Sequence, residues 1–166
     1  MASTGSDGID IAIRYGRGRY PDLKAELLIE EDLFPVCSPK LLEGLHPWLT
    51  LADLKHHTLI HDEFEVDWDM WLRTAGIEGV DLHRGPRFHS SEHAVQAAVL
   101  GQGVVLGRSA LVADDLATGR PVRPFASSLP AGLAYYAVYP PRALQRNKVK
   151  VFRDWLLAEI AGEASQ

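Results

Sequence analysis

The sequence predicts an α/β fold built as two lobes with mostly parallel sheets, and three observations lead there. From Thr58 onward, short β-branched runs alternate with stretches of helical period, the pattern of strands joined by helical crossovers. Before Ser38 the chain offers strand patterns with almost no helix to cover them. The one long amphipathic helix, Lys148 to Ala161, stands at the far end, with Val149, Phe152, Leu156 and Ile160 on one face. The simplest arrangement is a central lobe inserted between the two halves of an outer lobe. The outer lobe reads as short of cover, as if elements preceding Asp7 were missing. The expected division is a polar leader or tag over 1–6, a partial first lobe over 7–37 plus 130–162, and a second lobe over 38–129.

Each element has a local reason. Ile9 to Tyr15 alternates branched apolar residues and stops at Gly16, so it reads as a strand running into the loop Gly16 to Pro21. Leu23 to Val36 is a second β-rich run, one long bent strand or two. Ser38-Pro39 is an N-cap followed by proline at the first helical position, opening a short helix Lys40 to Glu43. Thr50-Leu51-Ala52-Asp53 resembles a capping box with Asp in the usual Glu position, opening a helix to about Lys55. Thr58 to His61 is a short strand. Trp68, Trp71, Leu72 and Ala75 recur at helical spacing, so Asp67 to Ala75 is an amphipathic helix closed by Gly76. Arg87 to His89 ends a strand, and Ser90 or Ser91 caps the helix Glu92 to Leu100, whose Ala94, Ala97, Ala98 and Gly101 form a small-residue face. Val104 to Leu106 is a buried strand leading into Gly107-Arg108. Ser109 caps a helix from Ala110 to Ala117, and Leu133 to Tyr139 is a strand stopped by Pro140-Pro141.

Composition narrows the function classes. The chain has 166 residues, with 17 Lys+Arg against 22 Asp+Glu and a net charge of -5. That acidic balance argues against coating nucleic acid, and Arg17 with Arg19 makes only a weak basic footprint. A single cysteine, Cys37, excludes an internal disulfide framework and reads as a small core residue. No run approaches a membrane span, and the first residues lack the basic and apolar regions of a secretory signal. There is no G-x-S-x-G elbow, P-loop or H-E-x-x-H. His61, Asp62, Glu63, His89 and His93 assemble a metal site on paper, which would make a metal-dependent hydrolase; surface histidines near a cap are the plainer reading. His56 and His57 at a helix end read as dipole partners rather than ligands. Asp114 and Asp115 read as a solvated face, and Trp68 and Trp71 as core.

Strand ends are more informative, because ligands of open α/β sheets bind beyond the carboxyl ends of strands. Tyr15-Gly16-Arg17, His61-Asp62 and Gly107-Arg108-Ser109 all follow strands, and Ser90-Ser91 opens a helix. Guanidinium groups, hydroxyls and a helix start together suit a ligand carboxylate.

The motifs also resemble a known family. Asp10 to Gly16, Leu33-Phe34-Pro35-Val36-Cys37-Ser38-Pro39, Leu51-Ala52-Asp53-Leu54 with His57-Thr58-Leu59-Ile60-His61, Phe88-His89-Ser90-Ser91, Ala97 to Val104 and Leu116 to Val122 appear in the order and spacing of the effector-binding domain of LysR-type transcriptional regulators. The Ile13-Arg14-Tyr15-Gly16 run looks most like the branch of glycine-cleavage and β-lactamase-induction regulators. The resemblance covers about Asp7 to Ala161. It implies a fold like type 2 periplasmic binding proteins, with a small effector held between two lobes. It implies effector-binding positions at Tyr15, Gly16, Arg17, His61, Asp62, Ser90, Ser91 and Arg108, with Tyr135 as an addition from the returning strand. It further implies a cytoplasmic homodimer or tetramer that contacts DNA only through an N-terminal helix-turn-helix not found in this sequence, with no catalysis, no cofactor, no metal and no membrane partner. A solute-binding protein of the same fold without a DNA role is the alternative reading.

Overall fold

In a computed structural model, residues 8–64 and 66–165 are described; the expected leader over 1–6 lies outside them. The described strands are β1 Ala12–Gly16, β2 Lys24–Val36, β3 Leu59–Asp62, β4 Arg87–Phe88, β5 Val104–Arg108 and β6 Leu129–Tyr139. The helices are α1 Trp68–Ala75, α2 Ser91–Val99, α3 Ser109–Thr118 and α4 Asn147–Glu163. The chain divides into two compact units, one made of residues up to Glu31 together with Gly132 onward, the other of Asp32–Ala131. The chain passes from one to the other inside β2 and again inside β6.

The central unit holds the parallel pairing. β3 lies parallel to β5, with Leu59 opposite Val104 and Ile60 opposite Val105, and parallel to β4, with His61 opposite Arg87. The end of β2 runs antiparallel to β5, with Leu33 opposite Arg108 and Val36 opposite Val105. The sheet is therefore mixed rather than mostly parallel. β2 enters as a crossing strand with no helical crossover behind it, so nothing constrains it to the parallel direction.

Side chains explain why these elements stay together. The small face of α2, Ala94, Ala97 and Ala98, lets the helix press against Phe34, Val36, Ile60, Val105 and Val112. Trp68 and Trp71 are core residues as expected, each 2% exposed and edge-to-face at 5.8 Å. Their indole N–H groups donate to the carbonyls of Ile60 and Leu33 at 2.9 and 3.0 Å, which ties α1 to β3 and β2. Gly103 adopts φ +156°, and a Cβ there would stand 2.4 Å from the Thr58 carbonyl oxygen. Gly85, at φ +112°, lies closer still to the Leu59 carbonyl oxygen, so only glycine lets the chain pass β3 here. Cys37 is fully buried and exchanges both backbone hydrogen bonds with Val122; burial pushes its thiol up to about 11.

Several local expectations shift. The segments after Ser38 and Thr50 are 3-10 turns, Pro39–Leu42 and Leu51–His56, too short to propagate as α-helices. Asp53 accepts from the amides of Leu49 and Thr50 at 2.9 and 2.8 Å, the carboxylate half of the expected capping box. Asp67 caps α1 from outside it, accepting from the Met70 amide, and Gly76 closes that helix at φ +71°. Ser109 does not cap α3: it is the first helical residue, and its hydroxyl accepts from the Asp32 amide at 2.9 Å. That bond ties α3 to β2. His56 and His57 do stand at the end of the Leu51–His56 turn, where His56 also stacks on His46 and His57 on Trp48.

In the other unit β1 runs antiparallel to β6, with Ala12 opposite Val138 and Gly16 opposite Ala134. Glu26 on β2 accepts from the Tyr139 hydroxyl at 2.7 Å and from Arg153 of α4 at 2.7 and 2.5 Å. The Arg153 guanidinium holds the Glu26 carboxyl down at about 2. The α4 face is covered only in part. Val149 is buried, whereas Phe152 and Trp155 are 40% and 55% exposed, and Trp155 shares a groove with exposed Ile13 and Ile29.

Candidate functional site

The expected site residues fall in both units. In the central unit, β3 and β5 run parallel and end together at Asp62 and Arg108. α2 begins beside them at Ser91, with Ser90 as its cap. The local sequence dictates this meeting. Gly107 leaves room in β5, since a Cβ there would stand 2.6 Å from a Val36 methyl group, and the chain then turns sharply into α3.

Asp62, Ser91 and Arg108 form one buried polar node. The Ser91 hydroxyl donates to Asp62 Oδ2 at 2.5 Å, and Arg108 Nε donates to Ser91 Oγ at 3.4 Å. Arg108 Nη2 stands 3.5 Å from Asp62 Oδ1 and donates to the Val66 carbonyl at 3.1 Å. The side chains of Arg108 and Asp62 are 1% and 8% exposed, so the node sits in low dielectric, where a lone charge is very costly. Phe64 covers it: the guanidinium carbon lies 3.9 Å from the centre of its ring, and the Phe64 amide donates to Asp62 Oδ1 at 3.3 Å. Phe64 and Val66 are functional candidates that the sequence reading missed. Nothing in the residues after β3 marks them, because their roles depend on the turn they make over Arg108.

The remaining members of this group serve differently. Ser90 spends its hydroxyl as the α2 cap, accepting from the His93 amide at 3.3 Å. His61 is 7% exposed and its Nε2 has no hydrogen-bond partner. It lines a small cavity with Asp62, Asp67 and Trp68. Burial lowers its pKa, so it is neutral at pH 7. His89 pairs with Glu63 at 2.8 Å, both exposed, and this contact raises the His89 pKa. Among the described residues no three His, Cys, Asp or Glu side chains gather as a metal centre, so the ligand set drawn on paper from the sequence does not assemble.

In the other unit, Tyr15 and Tyr135 stand opposite one another in the β1–β6 ladder, with ring centres 4.8 Å apart. Gly16 follows, tight against the Tyr20 hydroxyl, which a Cβ would meet at 2.6 Å. Arg14 lies over the Tyr20 ring at 5.7 Å, and Tyr20 packs edge-on against Tyr136 at 6.4 Å. Arg17 is exposed just beyond, its guanidinium 3.8 Å from where a Cβ on Gly132 would be. Tyr20 and Tyr136 were not singled out by the sequence. They form a second ring pair near the end of β1, on the face of the ladder opposite to Tyr15 and Tyr135.

Comparison with known proteins places the sequence and the fold. Residues 5–161 match the LysR substrate binding domain. The chain is 40% identical over 158 residues to the glycine cleavage system transcriptional activator of Escherichia coli K12, covering 95% of this chain and 52% of that protein. It is 33% identical over 160 residues to the HTH-type transcriptional activator AmpR of Pseudomonas aeruginosa, covering 96% and 53%. The chain thus spans about half the length of the curated relatives it matches. Among solved structures, the effector domain of Pseudomonas aeruginosa AmpR superposes with a TM-score of 0.79 at 31% identity, over 99% of this chain and 79% of that one. The AmpR effector binding domain of Citrobacter freundii, at 24% identity, gives the same TM-score and so the same fold. These relatives are transcriptional regulators. With its two α/β units, mixed sheet and matched sequence, the chain belongs to the LysR substrate-binding domain family.

Proposed function

We propose that the chain is the effector-sensing regulatory domain of a LysR-type, DNA-binding transcriptional regulator, and that its effector is a small metabolite carrying a carboxylate. The observation that carries the reading is the buried Asp62–Ser91–Arg108 node at the carboxyl ends of β3 and β5. A buried guanidinium with hydroxyl partners matches the bidentate geometry and charge of a carboxylate. Tyr15, Gly16, Arg17 and Tyr135 of the other unit, and His61 and Ser90 next to the node in sequence, are the further effector-binding residues of this reading. Sensing is a population shift: the effector binds one arrangement of the domain better than another and biases it. In the whole regulator that bias alters the geometry of a dimer or tetramer whose DNA contacts are made by a helix-turn-helix, in the cytoplasm. The domain works by binding alone, without catalysis or a cofactor.

Isothermal titration of this chain against a panel of small carboxylate metabolites tests the reading. At least one should bind with one-to-one stoichiometry, and Arg108→Ala should abolish that binding. Unchanged affinity in the variant removes Arg108 from the site, and a panel with no binder removes the carboxylate.

A further inference from the structure

Helix α4 leaves an apolar stripe open along one of its faces. Val149 is buried and Arg153 is held by Glu26 at 2.7 Å, so these two residues fix the face that α4 turns into its unit. At about 3.6 residues per turn, Lys148, Val151, Phe152, Trp155, Glu159 and Glu163 follow one another at spacings of three and four on a different face. Val151, Phe152 and Trp155 are 58%, 40% and 55% exposed. The rings of Phe152 and Trp155 lie 6.0 Å apart and make one continuous surface. That surface runs on into the groove beside α4, which Trp155 and Glu159 line together with Ile13 of β1 and Leu28 and Ile29 of β2. Large apolar side chains grouped this way, with charged residues at the ends, mark an interaction face.

The two ends of the stripe are unlike. Lys148 opens it with its side chain 73% exposed, and it shares Asp10 with Arg146. Glu159 and Glu163, both exposed, close it. An order of basic, apolar and acidic complements itself when it is reversed. Lys148 stands seven residues before Trp155 and Glu163 eight after it. A second α4 laid antiparallel, with a two-fold axis beside Trp155, therefore sets the Lys148 of each copy near the Glu163 of the other, and brings the two Trp155 rings together at the centre. A parallel pair would set like charges against each other at both ends. We propose that this face is the contact between two copies of the chain, made by antiparallel pairing of their α4 helices. Such an isologous contact closes at two copies, and aromatic side chains at its centre carry most of its affinity. The proposal rests on the dimer of the reading above and names the face that makes it.

The test is sedimentation equilibrium of the 166-residue chain over about a hundredfold range of concentration, up to about 200 µM, where an interface of modest area is populated. The mass should rise from one chain toward two and stop there. Trp155→Glu should weaken the pairing about thirtyfold or more, the loss expected of an aromatic anchor at the centre of an interface. Glu163→Lys should also weaken it, and Lys148→Glu/Glu163→Lys, which exchanges the two ends, should restore it. Circular dichroism checks that each variant folds; if Trp155→Glu does not, the charge exchange decides. A chain that stays monomeric leaves the face to another partner and overturns the proposal. A dimer unchanged by Trp155→Glu, or an exchange that restores nothing, overturns it as well. The two readings fail separately. A monomer that still binds a carboxylate through Arg108 loses only the α4 pairing. An α4 dimer that binds no carboxylate keeps the pairing and loses the effector.

Discussion

Arg108→Met provides the sharpest measure of what the node does for the fold. Methionine matches the length of the arginine stem and packs against Phe64, so the change removes charge and donors with little loss of volume. The variant leaves Asp62 at 8% exposure with the Ser91 hydroxyl and the Phe64 amide as hydrogen-bond donors and no compensating charge. It also strips a donor from the Val66 carbonyl. Breaking a buried pair from one side costs about 3–5 kcal/mol, because the stranded charge keeps its full desolvation penalty. For a chain of this length that corresponds to a fall in Tm of about 6–20 °C. Removing both charges, in Asp62→Asn/Arg108→Met, should recover at least about 1–2 kcal/mol, since the coupling within one network lies in that range. Urea unfolding followed by tryptophan fluorescence reads both values, because Trp68 and Trp71 lie in the same unit. A cost under about 1 kcal/mol for the single variant, or a double variant no more stable than the single, refutes the argument that the node is an uncompensable pair in low dielectric.

Four further outcomes follow from the same structure. Gly85→Ala should destabilise by more than about 3 kcal/mol, because its Cβ would overlap the Leu59 carbonyl oxygen in a left-handed backbone, whereas Gly79→Ala, with φ +80° and open space, should cost only about 1–2 kcal/mol in the same denaturant titration. Burial lowers the pKa values of His57 and His61, so their neutral forms contribute stability that is fully present above about pH 6.5 and lost as pH falls through the lowered values; Tm should drop between pH 7 and 5, and the drop should shrink in His61→Gln. Glu26 is held at about 2 by Arg153 and Tyr139, so its contribution is present above the ordinary carboxylate pKa near 4.5 and lost as pH falls toward 2; Arg153→Met should cost about 1–3 kcal/mol and flatten that acid limb in thermal scans. The Cys37 thiol, buried and pushed up to about 11, should resist iodoacetamide at pH 8 in the folded chain and react at once in urea, and rapid alkylation of the folded chain would contradict its burial.

How legible the fold was differs by element. α1 was legible because two tryptophans at helical spacing admit one buried face, and α2 because alanines recur where close packing needs them. The direction of β2 was not: its residues alternate the same way whichever neighbour they face, and nothing in that alternation tells antiparallel pairing with β5 from parallel. The segments after Ser38 and Thr50 carry true capping residues, yet a cap announces a start and says nothing of length, so 3-10 turns passed as short helices. At the site, Asp62, Ser91 and Arg108 were legible as strand ends and a helix start. Ser90 and Ser91 were not separable in advance; only the helix phase decides that Ser90 caps while Ser91 turns inward to Asp62. Phe64 was invisible because its contact with Arg108 depends on tertiary packing rather than on any periodicity.

The buried pair also separates stability from sensing. A core already held by Trp68, Trp71, Leu33 and the alanine face of α2 has no need of an ion pair, and replacing such a pair by apolar side chains of similar volume is often neutral or stabilising. Asp62→Leu/Arg108→Met should therefore fold at least as well as the parent chain, with Ser91 left to bond water or backbone. The same double variant has no seat for a carboxylate, so it should bind none of the panel that the parent chain binds. Thermal unfolding and titration on that one protein give the comparison. A stable fold with binding lost places the pair in recognition. A collapse of the fold on losing both charges would mean instead that the pair specifies how β3, β5 and α2 meet, and recognition would then have to be sought among Tyr15, Arg17 and Tyr135.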